Sequence, residues 1–207
     1  MDLSHLFGPK KTPQQKDELL PDGKPRLPPN QYITKSWPVL SAEATPKFNE
    51  NTYRFKVWGA VEQPIELSWR ELLALPQVTL TADFHCVTMW SRYNNAWTGI
   101  HVREIINLVK PHSDTQFVTA HSWTNYTTNM PYSDFNDDDV LIAFQHDGEP
   151  ISPDHGGPVR LIVPKLYGYK SAKWLDGFEF MPQDNPGFWE IRGYHNHGDP
   201  WQEERYW

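Results

Sequence analysis

Nineteen prolines and twelve glycines run through these 207 residues, and their density constrains the fold more than any other feature. Each proline removes an amide donor and locks φ, so it interrupts a helix or a central strand wherever it falls. A helix bundle is therefore disfavoured, and a loop-rich fold built on short strands is the expectation. Hydrophobic residues make up only 38% of the chain, but ten tryptophans, ten phenylalanines and nine tyrosines bury enough surface per ring to close a core. The length suits one large domain with an irregular extension.

Residues 1–31 form that extension, ahead of a single domain over 32–207 that includes the aromatic, histidine-bearing tail. Lys10-Lys11-Thr12-Pro13 and Pro21-Asp22-Gly23-Lys24-Pro25-Arg26-Leu27-Pro28-Pro29 are too polar and proline-broken to hold a core, which leaves disorder or wrapping over the domain. Trp37-Pro38-Val39-Leu40 is the first apolar anchor, and regular structure is expected from near Thr52. Tyr53, Phe55 and Val57 alternate with basic residues as a half-buried strand does, and Ile65-Glu66-Leu67 reads as its return. Ser68 and Glu71 have the spacing of a capping box, predicting a short helix that ends before Pro76. Val78 to Cys86 alternates as a strand and Val102 to Val109 has helical spacing. Further strands are expected at Gln116–Ser122, Val140–Phe144, Pro158–Pro164 and Trp174–Met181, with Trp123–Met130 a polar loop.

The formal net charge of −7 weighs against binding to nucleic acid or an anionic membrane surface. No apolar run approaches the roughly 18 residues of a membrane span. The first residues lack the charged and apolar regions of a secretory signal, and a single cysteine forms no disulfide within the chain, so a cytoplasmic location is the expectation.

That cysteine, Cys86, comes at the end of the alternating run, in Cys86-Val87-Thr88-Met89-Trp90-Ser91. Its residue type alone allows inert packing, a nucleophile with His121 or His155 as base, or a lone ligating sulfur. Two later motifs are friendly to anions. In His155-Gly156-Gly157-Pro158-Val159-Arg160, glycines let the backbone approach a ligand and arginine adds a fork suited to phosphate. In Tyr167-Gly168-Tyr169-Lys170-Ser171-Ala172-Lys173-Trp174, two lysines and a hydroxyl sit among aromatic rings. His195-Asn196-His197 beside Asp199 could bind a metal, but a polar turn with satisfied imidazoles is the favoured reading.

Taken together and in this order, the three motifs resemble the molybdopterin-binding domain of the sulfite oxidase superfamily. The nearest branch is that of cytoplasmic sulfite oxidase-like oxidoreductases, related to the catalytic subunit of protein-methionine-sulfoxide reductase. The resemblance spans about 37–181, and the tail from Gly187 to Trp201 is similar to that branch too. It implies an α+β fold of mixed, mostly antiparallel sheet with short helices, and a molybdenum–molybdopterin cofactor. It further implies a Cys86 thiolate ligating molybdenum, the pterin dithiolene supplying the other sulfurs. Cofactor contacts carried over by the match are Ser122, His155, Arg160, Ser171, Ala172 and Lys173, the basic ones meeting the terminal phosphate. Thr88 stands where the reductase relatives carry an acidic residue, and Arg92 is out of frame with the arginine of sulfite oxidases, so sulfite is not the expected substrate. The implied activity is oxygen-atom transfer to or from a small molecule, with electrons exchanged with a separate partner. Thr88, Arg92, His121 and Asn125 are candidates for the substrate side. The alternative is a cofactor-free binding or scaffold domain of the same fold.

Overall fold

The alternation from Val78 onward becomes β4 (Val78–His85), and its antiparallel partner is β5 (Trp90–His101). The computed structural model describes residues 18–207; the first part of the expected arm, 1–17, lies outside the described residues. β4 takes one edge of β5, while β1 (Tyr32–Ile33, parallel) and β8 (Leu141–His146, antiparallel) share the other. β10 (Arg160–Ile162) and the short β9 (Glu149–Pro150) complete this sheet on β8. Gly99 sits where β5 and β8 close up at a register shift, and a Cβ there would strike the Ile142 carbonyl.

The second sheet runs β3 (Ile65–Ser68), β2 (Arg54–Gly59), β11 (Leu175–Met181), β6 (Phe117–Ser122), β7 (Thr127–Pro131). Only its β2–β11 pair is parallel. Helices are short: α1 (Trp69–Leu73), α2 (Val102–Val109) and α3 (Tyr132–Phe135). Ser68 and Glu71 close the expected capping box at α1. α2 buries Val102, Ile105 and Val109 in the main core, beside Phe55, Phe178, Phe180, Ile142 and Leu161 from the two sheets. A second cluster surrounds the β4–β5 hairpin and includes Phe84, Cys86, Trp90, Trp97 and Tyr167.

This is the expected mixed architecture with few helices. Three details differ from the sequence reading. The polar stretch 123–130 is not all loop, because Thr127–Pro131 pairs with β6. β5 escaped the pattern because Asn94 and Asn95 interrupt it and Ser91, Asn95, Trp97 and Ile100 are all buried. Pairing into the sheets begins at Tyr32, well before Thr52.

Both ends of the described chain dock on the hairpin. Arg26 forks onto Asp83 of β4, Leu27 is buried, and the Gln31 amide donates to the Cys86 carbonyl at 3.0 Å. The tail after β11 packs through Phe188, Trp189 and Tyr194, then ties to α3 through His197, which bridges Asp134 (2.9 Å) and Glu204 (2.8 Å). The hydrogen bond to Asp134 and, beside it, Glu204 raise the His197 pKa from its ordinary 6.5. A pKa raised on folding adds stability that is complete below the unfolded value and is lost as pH rises through the folded one. His197→Gln is therefore expected to destabilise the protein more at about pH 5.5 than at about pH 8.5. Urea unfolding of the two proteins at each pH measures this, and an equal loss at both would contradict it.

Candidate functional site

Cys86 is presented by a tight turn. Its amide donates to the Trp90 carbonyl at 2.8 Å, the Met89 amide donates to the Cys86 carbonyl at 3.1 Å, and Met89 adopts φ +75°. The turn directs the sulfur to the wall of a cavity of about 260 Å³. Cys86 is 8% exposed, and its Sγ lies 3.1 Å from Thr88 Oγ1. Burial pushes its pKa up, with the Thr88 hydroxyl and amide and the Arg205 charge pulling the other way.

The same cavity is lined by His155, Arg160, Gly168, Tyr169, Ser171 and Lys173. Arg160 opens β10 and is 3% exposed; its guanidinium donates to the carbonyls of His155 (2.6 Å) and Ser171 (2.8 Å). Trp37 stacks on His155 with centroids 4.1 Å apart and also lies over the guanidinium at 5.4 Å. The Lys173 ammonium donates to the Asp154 carbonyl at 2.6 Å. Gly156 has φ +99°, and a Cβ on it would run into the Lys173 side chain, so glycine is needed for lysine to lie against this turn. Among the described residues neither cation has a carboxylate partner. Burial lowers the Arg160 pKa to about 9, and burial with Arg160 repulsion lowers that of Lys173 to about 8. Both remain largely charged at neutral pH, and each charge works against folding there because its pKa falls on folding.

Not every candidate faces the cavity. Ser122, at the end of β6, gives its hydroxyl to the Lys173 carbonyl and so supports the lysine from behind. Ala172 is buried in the pairing of its carbonyl with the Leu161 amide (2.8 Å). Of the four substrate-side candidates only Thr88 lines the cavity. Arg92 is committed to Asp147 (2.6 Å) and His146, and His121 to Glu179 (3.2 Å) on the second sheet. Asn125 occupies the turn between β6 and β7 with φ +73°. The catalytic dyad considered from sequence is absent among the described residues. The two ring nitrogens of His155 meet Ser152 and the Trp37 carbonyl, and the Cys86 sulfur has Thr88 as partner. His195 and His197 belong to no metal-ligand cluster among the described residues. Sequence reading missed the aromatic lining, namely Trp37, Phe84, Trp90, Tyr126, Trp189 and Tyr194.

One soft sulfur and two uncompensated cations sharing an aromatic-walled cavity make a site for a large anionic group. The model of the oxidoreductase molybdopterin binding domain matches residues 42–189, and the chain belongs to that family. An oxidoreductase named YuiH and described as uncharacterized, from Bacillus subtilis (strain 168), is 41% identical over 89% of this chain and 94% of its own length. The protein-methionine-sulfoxide reductase catalytic subunit MsrP of Campylobacter jejuni is 28% identical, over 69% of this chain and 54% of that protein. Human mitochondrial sulfite oxidase is 25% identical, over 82% of this chain and 37% of that protein. The sulfane dehydrogenase SoxCD of Paracoccus pantotrophus shares the fold, with a TM-score of 0.62 at 20% identity over 72% of this chain and 42% of that one.

The cofactor of this family is the molybdenum–molybdopterin group, and the cavity fits it on the protein's own terms. Arg160 and Lys173 are charges awaiting an anion, and Trp90 presents a buried indole Nε1 with no partner. An anion that neutralises Arg160 is expected to stabilise the cofactor-free protein. At a hundredfold excess over its dissociation constant, inorganic pyrophosphate should add about 2.7 kcal/mol. Arg160→Met should abolish that increment in thermal melts, and an unchanged increment would show that the anion binds elsewhere.

Proposed function

We propose that this chain is a molybdenum-dependent oxidoreductase that transfers an oxygen atom to or from a small substrate, with the Cys86 thiolate as the protein's ligand to the metal. The observation that carries the reading is the placement of the single cysteine, at a hairpin tip, on the wall of the cavity that holds two cations with no carboxylate partner among the described residues. When bound, the cofactor supplies two-electron oxygen-atom chemistry. The protein's residues bind, orient and exclude water. Cys86 offers a soft sulfur, which metal binding would hold as thiolate by displacing its proton. Thr88 Oγ1 then serves as a hydrogen-bond donor to Sγ. Arg160 and Lys173 would hold the cofactor's terminal phosphate, and His155 keeps Trp37 stacked beside them. The rings of Phe84, Trp90, Trp189 and Tyr194 keep water from the space beside the sulfur.

Among the described residues that line the cavity, the basic ones are His155, Arg160 and Lys173, and none of them is left over for an oxyanion substrate. Arg92 and His121 are engaged elsewhere, and Arg160 and Lys173 belong to the phosphate. A neutral oxygen donor or acceptor suits walls of this kind better than sulfite does. The electrons are exchanged with a separate redox partner.

Cys86→Ser, produced in a host that makes molybdopterin, should fold as the wild type does, with the same circular dichroism, yet hold no molybdenum and show no oxygen transfer. Full activity in this variant would sink the assignment of Cys86. Wild-type protein from the same host with no molybdenum would favour the cofactor-free scaffold instead.

A further inference from the structure

Behind the lining of the cavity lies a buried ion pair, Lys170 with Glu190. In the run 168–173, Gly168, Tyr169, Ser171 and Lys173 line the cavity. Lys170 turns the other way and its side chain is wholly buried, as is that of Glu190, with Nζ and Oε1 2.5 Å apart. The Lys170 ammonium also donates to the carbonyls of Asn129 (2.7 Å) and Asn196 (2.6 Å), and Thr128 donates to the same Glu190 oxygen at 2.7 Å. Glu190 sits just after Trp189 and four residues before Tyr194, both of which line the cavity. Two more bonds run in parallel, from the Tyr169 hydroxyl to the His195 carbonyl (2.6 Å) and from the Tyr167 amide to the Gly198 carbonyl (2.8 Å). The loop that faces the cofactor is thus fastened from behind to the C-terminal segment, most of which lies beyond the family match at residue 189.

We propose that Lys170 and Glu190 are positioning residues that set the 168–173 loop for the cofactor by locking it to the C-terminal segment. Desolvation of two buried charges nearly cancels their attraction, so a pair like this contributes geometry more than net stability. It acts through its neighbours: Ser171 receives the Arg160 guanidinium on its carbonyl, and Lys173 brings the second cation. A loop freed from the pair would lose that spacing. The inference rests on the proposed cofactor role of the cavity, and wild-type protein without molybdenum would defeat that role rather than this pairing.

The test compares wild type, Glu190→Gln, Lys170→Met and the double variant, each full length and from a molybdopterin-competent host. Pterin and molybdenum per chain are measured after equal dialysis, together with the melting temperature of the cofactor-free protein. Folded variants should retain about tenfold less cofactor or lower. Phe55→Leu, a core variant of the second sheet, is the control and should keep its cofactor despite lowering the melting temperature. Wild-type retention in the folded variants, or an equal loss in the control, would overturn the proposal. Should the variants not fold, hydrogen exchange on the wild type decides the matter. Cofactor loading should slow exchange in 168–173 and 187–196 together, and unchanged exchange in 187–196 would contradict the pairing.

Discussion

A guanidinium buried among carbonyls, with no carboxylate beside it among the described residues, is a costly arrangement, and the site is built around one. Arg160 is held by the carbonyls of His155 and Ser171, so the glycine turn and the 168–173 loop are both positioned on its fork. Trp37 and Phe84 lie over the same group at 5.4 and 5.6 Å. Remove the charge and these elements lose their common partner. Keep it, and the cavity has a standing demand for an anion that no carboxylate among the described residues satisfies. Lys173 adds to that demand, held in place by Ser122 behind and Gly156 beneath.

The hairpin answers a different need. Cys86 requires a rigid support and a dry surround if it is to offer one sulfur to a metal. β4 and β5 give the first, with the Gln31 amide and the Arg205 guanidinium fastening the carbonyls of Cys86 and Val87 from the two ends of the described chain. The aromatic cluster gives the second. Long-range docking therefore does what an internal disulfide cannot do in a chain with a single cysteine. The main core lies between the sheets and is separate from this cluster, which lets the cavity carry unpaired charge while Phe55, Phe178 and Phe180 supply ordinary burial.

Local signals were the legible ones. Alternation found β4, helical spacing found α2 with its observed limits, and the Ser68–Glu71 spacing found a real capping box. The order of three motifs brought Cys86, His155, Arg160, Ser171 and Lys173 to one cavity. What sequence could not show depends on which partner wins a side chain. Arg92 is near Cys86 in sequence, yet Asp147 claims it from 55 residues away. Ser122 matched a contact position, yet its hydroxyl is used by a neighbouring carbonyl. Lys170 reads like the other lysine of its motif, and only the fold reveals that it is buried against Glu190. β5 was hidden because polar Ser91 and Asn95 and small Gly99 occupy buried positions, so its burial alternates from Asn95 to Gly99 while its hydropathy does not.

The central claim is that a sulfur of this chain sits on the metal. Molybdenum K-edge absorption fine structure of the wild-type holoprotein tests it most directly. The account predicts one more sulfur in the first coordination shell than the pterin dithiolene supplies. A shell that holds the dithiolene sulfurs alone would contradict it.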